Sequence, residues 1–89
     1  MNIKTLYQFF AGHPEAHWIM IAENALLLYE FVKKNPVKRV LDLGTGIGLS
    51  ASIVALALKE KKEADFHIDS VEQYDKCVVL AKQLIPEDF

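Results

Sequence analysis

Lys38-Arg39-Val40-Leu41-Asp42-Leu43-Gly44-Thr45-Gly46-Ile47-Gly48-Leu49-Ser50 reads as a short strand, a glycine-rich turn and the first turn of a helix. Val40, Leu41 and Leu43 form an almost unbroken apolar run, the pattern of a parallel strand covered on both faces. Gly44, Gly46 and Gly48 then alternate with larger residues. Without a Cβ they can take positive φ and let a ligand approach the backbone directly. The apolar helix that follows, from about residue 49 to 59, points its free N-terminal amides and positive dipole end back into that turn. Strand, glycine turn and helix N-terminus together predict a crevice of nucleotide-binding type.

Working outward, Ile3, Leu6, Tyr7 and Phe10 fall at i, i+3, i+4 and i+7 and predict a first amphipathic helix. Gly12-His13-Pro14 breaks it, and Pro14 suits the first position of a second helix that runs to Lys34. On that helix Trp18, Ile21, Ala25, Leu28 and Val32 make one stripe, widened by Ala22, Leu26 and Tyr29. Lys33 and Lys34 complement its C-terminal dipole, and Asn35-Pro36 ends it. The helix after the glycines is apolar almost all round, so it is expected to be covered by the sheet on one side and the N-terminal helices on another. Residues 66–72, Phe-His-Ile-Asp-Ser-Val-Glu, read as a second strand with Phe66 and Ile68 opposite His67 and Asp69. A last helix spans about 74 to 85, with Tyr74, Cys77, Val78, Ala81 and Leu84 on one face. Pro86 ends it.

Composition narrows the class. At 89 residues, 52% hydrophobic and 25% charged, the chain has the balance of one small globular domain. Ten basic and twelve acidic residues are well mixed for a net charge of -2, which gives no sign of a nucleic-acid footprint. The single cysteine, Cys77, excludes an internal disulfide and suits a reducing compartment. The most apolar segment, residues 19–32, is interrupted by Glu23, Asn24 and Glu30 and is too short to span a bilayer. A cytoplasmic protein without a membrane partner is the expectation. His13 and His17 lie four apart around Glu15 but lack a third ligand with fixed geometry, so no metal site is expected.

Asp42-Leu43-Gly44-Thr45-Gly46-Ile47-Gly48 resembles the first motif of the class I S-adenosylmethionine-dependent methyltransferases: an acidic residue, one residue, then Gly-x-Gly-x-Gly. The resemblance covers roughly residues 37 to 84. It implies a Rossmann-like α/β fold with S-adenosylmethionine as cofactor, in which Gly44, Thr45, Gly46 and Gly48 wrap the methionine and ribose part. Asp42 would organise the loop or the cofactor amine. A βαβ nucleotide fold places a ribose-binding acid roughly 20 residues past the glycines. Glu72 lies at the end of the second strand, and the family resemblance puts the ribose acid there; Gln73 and Tyr74 directly follow it, in position to flank the adenine. Residues 44–50 are also similar to the Gly-Thr-x-x-Gly-x-Ser variant of catechol-type O-methyltransferases, which implies a small hydroxylated acceptor.

Other readings stay open. Gly46-Ile47-Gly48-Leu49-Ser50-Ala51 formally satisfies the Gly-x-Gly-x-x-Gly/Ala pattern of NAD(P)-dependent oxidoreductases, though two residues past the strand end. A doubly wound domain normally takes on the order of 150 residues, whereas this order is helix, helix, β, α, β, α. Residues 1–36 are thus expected to form a helical segment and 37–89 the front half of the cofactor domain. The sheet would be completed by a C-terminal portion or by a second copy. A non-catalytic assembly module, using the open sheet edges, is the remaining alternative. No nucleophile–base constellation appears, so no catalytic residue is assigned.

Overall fold

The computed structural model describes residues 1–17, 19–87 and 89. The elements run α1 (Ile3–Ala11), α2 (Ala22–Lys34), β1 (Arg39–Leu43), α3 (Leu49–Glu60), β2 (His67–Val71) and α4 (Asp75–Leu84). The architecture is α/β, with β1 and β2 paired in parallel from Arg39↔His67 to Leu43↔Val71.

The core is built around α3. Every residue from Leu49 to Leu58 except Ser50 is buried, as its all-round apolar sequence predicts. Leu6 and Phe10 of α1 and Ala25 of α2 close over Ile47, Leu49, Ile53 and Leu56. On another side Val32 of α2 packs with Val54, Ala57 and Leu58, against which Val40 and Ile68 of the sheet also rest. Residues of both the helical segment and the βαβ unit therefore share these clusters. At the far end of α3, Lys61 Nζ donates to the backbone carbonyls of Val32 (2.9 Å) and Asn35, satisfying acceptors that the end of α2 leaves free. At the other end of the helical layer, a reciprocal Asn2–Thr5 capping box starts α1.

Three expectations change. The second helix begins at Ala22 rather than Pro14. His13 Nδ1 accepts the Glu15 N–H (3.0 Å), and the Ala16 N–H turns back to the His13 carbonyl. These bonds make a turn instead of a first helical turn. The stripe on α2 is consequently Ala25, Leu28, Tyr29 and Val32, while Ile21, Ala22 and Leu26 are exposed. Trp18 lies outside the described residues.

The strand Val40–Leu43 is covered on one face only. Val40 and Asp42 are half-buried towards α3, whereas Leu41 and Leu43 are 64% and 72% exposed. The parallel register puts His67, Asp69 and Val71 on that same open face. This explains the alternation in β2: His67 and Asp69 are exposed, with His67 Nε2 2.9 Å from Asp69 Oδ1, and Ile68 packs inward. On α4, Ala81 is buried and Leu80 and Leu84 reach the core, but Tyr74 is 62% exposed and lies off the packed face.

No helix among the described residues is long and apolar enough to cross a membrane.

Candidate functional site

The loop between β1 and α3 is the feature that shapes the site. Gly44, Gly46 and Gly48 all have positive φ (+76°, +59° and +105°), a region costly to any residue with a Cβ. The turn is pinned to the neighbouring strand: the Gly44 N–H donates to the Val71 carbonyl at 2.7 Å, and the Gly48 N–H closes onto the Thr45 carbonyl at 3.0 Å. A Cβ added at Gly44 or Gly46 would meet nothing within 4 Å, so the space above these two residues is open. Gly48 differs. A Cβ there would lie 2.6 Å from Ile85 Cγ1, so this glycine lets the chain after α4 pack against the start of α3.

Two carboxylates organise the turn from opposite sides. Asp42 accepts both bonds of a forked contact from Ser50 Oγ (2.8 and 3.0 Å) and a third from Ser70 Oγ (3.2 Å). It therefore ties the end of β1 to the first turn of α3 and to β2. Glu72, 26 positions beyond Gly46, reaches back over the turn. Its Oε1 accepts the Gly46 N–H at 3.0 Å and its Oε2 accepts the Tyr74 N–H at 3.1 Å. A carboxylate has about four acceptor positions, so Glu72 keeps capacity for further donors. Gln73 is exposed. Thr45 is 8% exposed, and its Oγ1 has no partner among the described residues. A buried hydroxyl without a partner is costly unless something else supplies one.

The glycine turn lines a crevice of about 130 Å³ together with Glu15, Ile19, Met20, Ile47 and Cys77. A second cleft on the other side of Thr45 holds Glu72, Ser70 and Lys82. The outer wall of the first comes from the segment before α2. Tyr7 Oη donates to the Met20 carbonyl at 2.9 Å and anchors the segment to α1. Lys76 Nζ lies 2.8 Å from Glu15 Oε1 and anchors it to α4. The hydrogen bond from Lys76 holds the Glu15 carboxyl below its usual pKa, against a smaller opposing effect of desolvation.

The structure thus brings Asp42, Gly44, Thr45, Gly46 and Glu72 together around one turn, with Gly48 packed against Ile85; Gln73 is exposed and lines neither cleft. Sequence reasoning missed Glu15, Ile19, Met20 and Cys77 as crevice residues and the tether from Ser50 to Asp42. Glu15 and Lys76 stand 61 positions apart, and no local spacing announces such a pair. Among the described residues no group of three His, Cys, Asp or Glu side chains could hold a metal ion.

No family model matches the chain. A curated protein does: it is 32% identical over 82 residues to the tRNA1(Val) (adenine(37)-N6)-methyltransferase of Erwinia tasmaniensis, an alignment covering 92% of this chain. The chain spans about a third (31%) of that relative's length. The resemblance to methyltransferases is borne out, since this relative is one. Two expectations are overturned by the same finding: a small-molecule acceptor and the absence of any nucleic-acid partner, because the relative acts on tRNA. Their basis was narrow. The charge balance is counted over a stretch matching 31% of the relative, and the Gly-Thr-x-x-Gly-x-Ser pattern belongs to the turn, not to an acceptor surface.

Proposed function

We propose that the chain forms the S-adenosylmethionine-binding part of a methyltransferase with a Rossmann-like fold, and that its acceptor is an amino group on a nucleic-acid base. The observation that carries the cofactor half of this reading is the contact between Glu72 and Gly46. It sets a ribose-type acceptor at the lip of a glycine turn whose open side would admit a ligand. The acceptor half rests on the tRNA-methylating relative alone.

In this reading Gly44 and Gly46 hold the methionine end and Glu72 the ribose hydroxyls, with Gln73 along the adenine. Asp42 works indirectly, keeping the turn and the start of α3 in register through Ser50 and Ser70. The bound cofactor supplies an already activated methyl group on a sulfonium. What the protein must add is mainly alignment of donor and acceptor and exclusion of water. The shared α3–turn framework, buried along nearly its whole length, gives that alignment a rigid base.

Calorimetric titration with S-adenosylhomocysteine, with NAD as the control ligand, tests the reading. Saturable binding of the former alone is expected. Glu72→Ala should weaken it roughly 10- to 100-fold, the equivalent of a lost hydrogen bond to a charged group, with the far-ultraviolet circular dichroism spectrum retained. NAD binding alone, or unchanged affinity in the Glu72 variant, would refute the corresponding part. Methyl transfer to tRNA transcripts tests the acceptor: cofactor binding without any tRNA methylation would remove that half only.

A further inference from the structure

Among the described residues lining the crevice, Glu15 alone carries a formal charge. The rest of the wall is apolar side chain, glycine backbone or hydroxyl. Its carboxylate is held in place from several directions. The Glu15 backbone N–H donates to His13 Nδ1, fixing the turn, while the carboxylate Oε1 meets Lys76 Nζ at 2.8 Å and Oε2 lies 3.5 Å from His17 Nε2. The two ends of the ion pair are unequal. The Glu15 side chain is 33% exposed and sits on a turn fixed by hydrogen bonds, whereas the Lys76 side chain is 70% exposed on a flexible stem. Such an ammonium can swing into solvent with little loss, because exposed ion pairs are weak. The carboxylate would stay where it is, facing a crevice that offers a cation no other partner of opposite charge.

We propose that Glu15 receives the ammonium of the ligand's amino-acid end, and that Lys76 is a resident counterion that the ammonium displaces. This rests on the adenosyl-cofactor reading above and assigns a specificity residue within it. The ligand so selected is polar at both ends: hydroxylated where Glu72 bonds the turn, and bearing an ammonium where Glu15 lines the crevice. Thr45 lies between, lining both clefts.

The test compares S-adenosylhomocysteine, which carries an ammonium, with 5′-methylthioadenosine, the same nucleoside thioether without the amino acid. Glu15→Gln should lower affinity for the first roughly tenfold and leave the second unchanged. Lys76→Met removes the competing cation and should raise affinity for the first about two- to fivefold. The opposed signs are the discriminating feature. If Glu15 and Lys76 only strapped the outer wall shut, both variants would move both ligands in the same direction, and the proposal would be overturned. Glu15→Gln binding S-adenosylhomocysteine as well as the wild type would also overturn it, while leaving the cofactor reading intact. A folded wild-type protein that binds neither nucleoside would sink the cofactor reading and this proposal together. Urea unfolding of both variants confirms that the affinities refer to folded protein.

Discussion

Replacing Gly48 by alanine should cost far more stability than the same change at Gly44, although the two glycines belong to one motif. Both have positive φ, so each alanine bears a backbone penalty of about 1–2 kcal/mol. At Gly44 nothing lies within 4 Å of the new methyl group, and the penalty ends there. At Gly48 the methyl would sit 2.6 Å from Ile85 Cγ1 and 3.0 Å from Cδ1, with the Ala81 backbone behind at 3.4 Å. Ile85 must move, and overpacking of this kind costs about 1–3 kcal/mol more. The total for Gly48→Ala is then about 2–5 kcal/mol. A chain this long is expected to have a stability of roughly 4–13 kcal/mol, so the change removes a large share of it. Urea unfolding gives the comparison through the midpoint, provided the slope is unchanged. Repeating both changes in an Ile85→Ala background closes the cycle: with the clash relieved, the gap between the two glycine variants should shrink. Equal costs at Gly44 and Gly48, or a gap untouched by removing Ile85, would refute the reasoning.

Two further outcomes follow from the packing and the charges. Leu58→Ala, at a fully buried position of α3, should destabilise by about 2–5 kcal/mol, whereas Leu41→Ser on the open sheet face should stay within about 0.5 kcal/mol; urea unfolding of the 89-residue chain separates the two. On the alkaline side, burial and then the hydrogen bond to Glu60 raise the pKa of Tyr29, and the hydrogen bond to Glu60 raises that of Lys33. Groups raised in the folded state contribute stability that is complete below their unfolded values and lost as pH climbs through the folded ones. Stability measured by urea unfolding should therefore fall above pH 10, and Tyr29→Phe with Lys33→Met should flatten that fall.

Much of this was legible in the sequence because the signals are local. The 3.6-residue periodicity of α1, the all-round apolar α3 and the alternating glycines each follow from a few adjacent residues, and the structure reproduces them within a residue or so. Glu72 was reachable from spacing because a βαβ unit fixes the distance between its strand ends. The start of α2 was not legible. Pro14 and Glu15 suit a helix N-terminus, but the His13 side chain takes up the Glu15 amide and turns the chain, which periodicity cannot register. The one-sided burial of β1 was hidden for another reason: Leu41 and Leu43 are as apolar as any core strand, and only the positions of the helices show that the second face is uncovered. Glu15 as a crevice residue depends on α4 returning to the N-terminal segment, a contact between distant parts of the chain.

The two walls of the crevice are built on different physical terms. Its floor is the turn between β1 and α3, held by Asp42 and Glu72 and continuous with the most buried helix of the protein, so distorting it means disturbing the core. Its outer wall belongs to no helix or strand. Tyr7 and Lys76 fasten it through one hydrogen bond and one exposed ion pair, and Ala16, Ile19 and Met20 pack against the core. The ion pair is the weakest of these attachments, because exposed pairs contribute little and are screened by salt. Ligand entry is therefore expected to work by displacing contacts of Glu15, with the geometry of the glycine turn unchanged.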